Sequence, residues 1–447
     1  MGSGSLPIKA ASGTGDFAET SRPEMQVLRP DRKRSVFRTR YLISKGRRKR
    51  MNVGNALGLY VHIPFCRSKC AYCDFYSLSG AESLMDAYLD ALCVQLEASA
   101  PLAVDFVVDS VYFGGGTPSY LGAARLLRLL NKIRRHYRIA PDAEITLEAN
   151  PDSVGAQFAD LRGAGFNRVS LGMQSASDSE LRAVGRVHAS AQTRQAVETI
   201  RRAGFDNLSL DLIYGLPEQS RSSWRESVAR AMALSPEHLS CYGLKVEKGT
   251  PLFSRRAQLP DDDAQADCYL WAVEALREAG YAQYEVSNFA KSGRESRHNL
   301  KYWTLQPYLG FGPGAHSDFG GERWAIARDL RGFIAASETR TRNGAGLSSD
   351  VRGELARTWT RSESTVITER ERARERLMLG LRTAQGLDLS ECAALFGRNF
   401  GALDAFFGQC ASAGYASATL ERVALTPQGF LVSNQIIGRV LDLFDRA

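Results

Sequence analysis

The chain has 447 residues, 44% of them apolar and 24% charged, with eight cysteines and a formal net charge of +8. That length holds two or three domains with a sizeable core, and the composition excludes a disordered or fibrous chain. No stretch approaches the roughly 18 apolar residues of a spanning helix, and the first residues carry no apolar signal core. The positive charge is local. Residues 1–50 contain 13 Lys/Arg against 4 Asp/Glu, so the rest of the chain is close to neutral. This argues against a basic nucleic-acid face on the folded body. Residues 1–55 read as a basic, disordered extension, with Met51 a candidate native start. Such a tail implies at most peripheral contact with acidic lipid. Its four acidic residues speak against an organellar transit peptide.

From residue 57, short β-rich runs alternate with segments of helical period. The runs are "LYVHIPF" (59–65), "SVYFGGG" (110–116), "EITLEAN" (144–150), "RVSLGMQS" (168–175), "NLSLDLIYG" (207–215) and "HLSCYGL" (238–244). Helices are expected over 123–137, 191–204 and 223–234, and Gly165 and Gly204 read as helix C-cap glycines. Six βα units in series predict an α/β fold, a partial (β/α)6 barrel of TIM type, over residues 56–300. Ligands gather at the C-terminal ends of such strands. There the chain places "CRSKC", "GGGTPS", "EANP", "GMQS" and "DLIYGLP". Residues 301–368 read as a looser connecting segment. Residues 369–447 read as a small, mostly helical, winged-helix-like domain with a short β-turn near Gly414, and without a basic recognition helix.

Cys66, Cys70 and Cys73 fall within eight positions in "HIPFCRSKCAYCDF". Three thiolates bind zinc if a fourth ligand appears, and His62 is a candidate. Three thiolates also hold three irons of a [4Fe–4S] cluster and leave the fourth open. Spacing alone leaves both readings standing, a zinc-stabilised binding protein or an iron–sulfur protein. The flanking Phe65, Tyr72, Phe75 and Tyr76 favour the cluster, because a water-poor shell tunes its stability and potential. Cys93, Cys241, Cys268, Cys392 and Cys410 lack framework spacing, which predicts free thiols in a reducing, cytoplasmic compartment.

C-x3-C-x2-C after the first strand of a βα-repeat chain resembles the radical S-adenosylmethionine (SAM) superfamily. The resemblance implies that the open iron chelates the methionyl amino and carboxylate groups of SAM. An electron from an external donor then splits the sulfonium and yields a 5′-deoxyadenosyl radical. It also implies cosubstrate contacts from Gly115, Gly116 and Thr117 in "GGGTP", whose unobstructed backbone N–H groups can meet a carboxylate or amine. Glu148, Gln174, Arg186, Asp211, Tyr60 and Tyr72 match in type and spacing. Asp211 stands in an apolar strand and needs a polar partner there.

Residues 57–440 resemble the oxygen-independent coproporphyrinogen III oxidase group through "YVHIPFC", "VYFGGGTPSYL", "LDLIYGLPEQ" and "RHNLKYW". True oxidases carry a further cysteine two residues after the third; here that position is Phe75, which argues against decarboxylase activity. "CDFYS", "HNLKYW" and "YLGFGPGAHS" are similar to the HemW-type heme chaperone branch, whose members bind heme and deliver it to heme-dependent respiratory proteins. Within "SRHNLKYW", His298 offers an imidazole for heme iron, Arg297 and Lys301 can pair with propionates, and Tyr302 and Trp303 can lie against a macrocycle. His316 in "GAHS" is the second candidate.

Overall fold

The computed structural model describes residues 55–343 and 361–447. The basic extension and Met51 lie outside the described residues. All six β-rich runs are strands: β1 (Ala56–Ile63), β2 (Val107–Gly115), β3 (Ile139–Ala149), β4 (Arg168–Gln174), β5 (Leu208–Tyr214) and β6 (His238–Gly243). They pair in parallel in chain order. The connecting helices are α1 (Met85–Ser99), α2 (Ala123–His136), α3 (Phe158–Gly163), α4 (Asp178–Ala183), α5 (Ser190–Arg202) and α6 (Arg221–Ala233). Gly165 and Gly204 end α3 and α5 with φ of 102° and 91°. Phe166 N–H bonds Leu161 O and Phe205 N–H bonds Ile200 O, the six-to-one bond that closes a helix through a left-handed residue.

The strands alternate with period two, and the two faces differ in chemistry. Leu57, Leu59, Val61 and Ile63 of β1, Val111 and Phe113 of β2, and Leu208, Leu210 and Leu212 of β5 join the core with the helices. The intervening positions face the inside of the curve: Tyr60 stacks on Tyr112, Ser170 donates to Asp211, and Ser110 and Glu144 bond His298. One face therefore buries apolar area while the other is a polar interior able to face a ligand.

Among the described residues the sheet has twelve strands and does not close. Beyond β6 lie the antiparallel β7 (Ala282–Gln283) and β8 (Asn288–Ala290), after α7 (Asp262–Glu278). Next to β1 runs the parallel β9 (Tyr308–Phe311), then antiparallel β10 (His316–Phe319), β11 (Glu322–Ile326) and β12 (Arg361–Val366). The segment expected only to connect thus adds four strands. These are four to six residues long, and β12 is largely exposed, so no apolar alternation betrays them.

Between β8 and β9 lies α8 (Arg297–Trp303). Glu144 accepts the N–H groups of Arg297 (3.1 Å) and His298 (3.2 Å), holding the helix by its positive end. Lys301 pairs with Asp109 at 2.7 Å. The groups that receive α8 are Gly58, Asp109, Ser110 and Glu144, on the N-terminal halves of β1 and β2 and within β3. This helix plugs the lower mouth of the barrel.

After α9 (Leu330–Asn343), the C-terminal region carries helices Glu369–Gly380, Leu389–Phe396, Phe400–Ser412, Pro427–Leu431 and Ser433–Asp445. In place of a simple turn near Gly414 stands a three-stranded antiparallel sheet of Leu387–Asp388, Arg422–Leu425 and Ala416–Ala418. Strands of two to four residues are too short to announce themselves by pattern.

Candidate functional site

The cysteine loop leaves β1 at the upper end of the barrel, and backbone bonds fix its course. Cys66 N–H donates to Leu78 O (2.9 Å), and Leu78 N–H to Pro64 O (2.8 Å). Ala71 N–H reaches Val184 O (2.9 Å), while Ala71 O accepts from Leu252 N–H (2.9 Å). Gly116 N–H and Thr117 N–H donate to Ile63 O and Phe65 O, both at 2.8 Å. A Cβ on Gly116 would stand 2.7 Å from Phe65 O, so the close approach requires glycine. All three cysteines are buried. Around Cys70 and Cys73 pack Tyr72, Val184, Ile213, Leu216 and Leu252, with Phe75 at the margin.

Burial raises the pKa of the Cys66 thiol, and the Thr117 and Ser77 hydroxyls act in the opposite sense. The Thr117 hydroxyl donates to Cys66 Sγ at 3.4 Å, and Arg186 Nη1 reaches Cys70 Sγ at 3.9 Å. Donors directed at two sulfurs inside an apolar shell suit thiolates that carry an iron–sulfur cluster. The zinc alternative loses its fourth ligand. His62 Nε2 bonds Tyr76 O at 2.8 Å, Nδ1 bonds Tyr60 Oη at 3.2 Å, and the ring braces the loop against β1. Among the described residues, no three His, Cys, Asp or Glu side chains are grouped to hold a single metal ion.

The resemblance-derived cosubstrate residues converge on this end, with one correction. The N–H groups of Gly115, Gly116 and Thr117 are not available to a ligand, because Gly115 N–H donates to Glu148 Oε2 (3.0 Å) and the other two hold the cysteine loop. Glu148 also accepts from Tyr112 Oη at 2.8 Å. Gln174 has φ 63° and is fully buried, and neither end of its amide has a hydrogen-bond partner. A buried amide in a disfavoured backbone conformation, left unpaired, is the mark of a site built for a ligand. Arg186 Nη1 donates to Asn150 Oδ1 (3.0 Å) and Nη2 to Gly172 O (3.1 Å). Arg186, Cys70, Thr117 and Asn150 line a narrow cleft, with room for about 10 Å³, beside the cysteine loop. Tyr72 is buried close to Arg186 and Cys70. Tyr60 lies deeper, stacked on Tyr112 at 6.2 Å between ring centres. Asp211 pairs in register with Gly172, whose carbonyl accepts from Arg186. The Asp211 carboxylate accepts from Ser170 (3.1 Å) and Ser209 (3.3 Å), and burial raises its pKa.

His298 does not join them. The residue is 1% exposed, and both ring nitrogens are engaged, Nδ1 with Ser110 Oγ (3.0 Å) and Nε2 with Tyr302 Oη (2.9 Å). Its ring lies 5.2 Å from that of Tyr112, and burial holds its pKa down to about 3. From Gly58, beside this ring, to Ile63 is roughly 16 Å along the strand. The expectation of an axial heme ligand at His298 is therefore corrected: the imidazole is a core group of the lower plug. His316 is only partly buried, on β10.

Sequence reasoning missed Asn150, which links Thr117 to Arg186, and the Leu252 segment that clamps the loop. "EANP" stands at a strand end, and Pro151 gives the one local signal. It biases Asn150 to the extended conformation observed, φ −106° and ψ 151°.

The family model described as Radical SAM superfamily matches residues 60–231, and one described as HemN C-terminal domain matches residues 367–432. The heme chaperone HemW of Bacillus subtilis is 33% identical over 389 residues, 86% of this chain and 98% of its own. That of Mycobacterium tuberculosis is 44% identical over 279 residues, 61% of this chain and 72% of its own. Among solved structures, the Escherichia coli coproporphyrinogen III oxidase HemN, a radical SAM enzyme, superposes with a TM-score of 0.73 at 25% identity. That match covers 88% of this chain and 91% of the oxidase.

Proposed function

This chain belongs to the HemW family of radical SAM proteins, and from that premise we propose that it binds heme and delivers it to heme-dependent respiratory proteins. Membership of the radical SAM superfamily implies a [4Fe–4S] cluster and SAM. When bound, the cluster supplies an electron, from an external donor, for reductive chemistry on SAM. The chain's own part is to hold and shield. Cys66, Cys70 and Cys73 hold three irons, and the apolar shell keeps water from them. The ammonium of SAM is itself a donor, so the Glu148 carboxylate, rather than the N–H groups of the glycine turn, would hold it. Arg186 would take the carboxylate, and the unpaired Gln174 amide, with Tyr60, Tyr72 and Asp211, would bind the rest. The eight free, buried cysteines support a reducing cytoplasm, and no described helix is long and apolar enough to cross a membrane.

The observation that carries the chaperone reading over the oxidase reading is Phe75. It stands where oxidases carry a further cysteine and packs against the shell around Cys70 and Cys73. Heme binds away from the lower plug, and His316 is the histidine to test as its ligand. The test is hemin titration followed by mixing with an apo-hemoprotein acceptor. The expected results are a Soret band, its transfer to the acceptor, and no conversion of coproporphyrinogen III in the presence of SAM and reductant. Product formation at enzyme-like turnover, or no heme binding, would overturn the proposal.

A further inference from the structure

Two cluster cysteines receive donors that depend on one side chain. Asn150 Nδ2 donates to Thr117 Oγ1 at 3.0 Å, and Thr117 passes its own proton toward Cys66 Sγ at 3.4 Å. Asn150 Oδ1 accepts from Arg186 Nη1 at 3.0 Å, the nitrogen that stands 3.9 Å from Cys70 Sγ. The order of donors is forced. Thr117 has one hydroxyl proton, and it can point at sulfur only if its partner at residue 150 donates. Arg186 has no acceptor, so the other end of residue 150 must accept. A primary amide meets both demands and a carboxylate meets one. The space for this bridge comes from Gly172, where a Cβ would lie 2.6 Å from Arg186 Nη2 and 3.0 Å from Asn150 Oδ1.

We propose that Asn150 is a positioning residue that sets the reduction potential of the cluster, by aiming the Thr117 hydroxyl at Cys66 and the Arg186 guanidinium at Cys70. Hydrogen bonds to cluster sulfurs withdraw charge and favour the reduced state. Loss of the relay therefore moves the midpoint to more negative values and makes the electron harder to load. The inference rests on the three cysteines holding the cluster, and the experiment separates the two claims.

The experiment is a redox titration of the reconstituted full chain without SAM, followed by electron paramagnetic resonance, with iron counted in each sample. Asn150→Ala, which removes both links without adding charge, is expected to shift the reduction equilibrium by about tenfold, ~59 mV for one electron, toward the oxidised cluster. Asn150→Asp keeps the shape but draws the Thr117 proton to itself, and shifts the midpoint the same way. Should the alanine variant fail to assemble a cluster, Thr117→Val, which removes the donor to Cys66 without adding charge, decides. Thr117→Val gives a shift in the same direction, and Thr117→Val with Asn150→Ala goes no further than Asn150→Ala. Unchanged midpoints at full iron content overturn the relay and leave the cluster assignment intact, as do strictly additive shifts in the double variant. An unsubstituted chain that takes up no iron overturns both.

Discussion

Cys66, Cys70 and Cys73 share one loop bonded to β1, to Val184 and to Leu252, whereas the other five cysteines sit singly in the core. Alanine at any of the three is expected to abolish the cluster's absorption and iron. Alanine at Cys93 or Cys268 leaves both; a full iron complement in Cys70→Ala would contradict the ligand assignment. His298 has the opposite character. His298→Ala removes two buried hydrogen bonds and a packed ring, at a cost of about 2–4 kcal/mol in unfolding free energy, with the heme spectrum unchanged. Its pH signature has a definite sign. The folded pKa, about 3, lies below the unfolded value, so the contribution of the neutral ring is complete above about pH 6.5. It is lost as pH falls toward 3, and the stability gap between wild type and His298→Ala narrows over that range. A shift of the Soret band in His298→Ala would restore the ligand role. The cysteine spacing made one of these roles legible in sequence. The other was hidden because Ser110 and Glu144 stand 188 and 154 positions away.

The six strands were legible because each alternates, with one face apolar for the helices and the other polar for the interior. The extension β9–β12 was not, since short polar strands at a sheet edge have little to bury. Nor did "RHNLKYW" reveal where it docks. Basic and aromatic residues in a row look like a ligand site until Asp109 and Glu144 are seen to consume their charges and amides. Two element-level outcomes follow. Lys301→Ala removes the ion-pair partner of Asp109 at the lower mouth and is expected to cost about 2–4 kcal/mol, read by denaturant unfolding, without loss of cluster iron. Gly116→Ala drives a methyl against Phe65 O and should do the reverse at the upper mouth. It displaces the cysteine loop and lowers iron content, while the far-ultraviolet circular dichroism of the barrel persists. Wild-type iron content in Gly116→Ala would show that the turn does not brace the loop.

At the scale of the molecule, the barrel divides its interior by height. The lower mouth is closed by α8 and its buried charges, and the polar strand faces lead up to the cysteine loop, the glycine turn and Arg186. With α8 filling the lower mouth, the cysteine-loop end is the one that suits a cofactor. The central claim is that three thiolates hold a cluster whose remaining iron takes SAM at that end. The most direct measurement is the electron paramagnetic resonance spectrum of the anaerobically reconstituted, reduced chain before and after addition of SAM. The account predicts the signal of a reduced [4Fe–4S] cluster with four irons per chain, and a change in its g-values when SAM arrives. A signal that SAM leaves untouched, or bound zinc in place of iron, would contradict it.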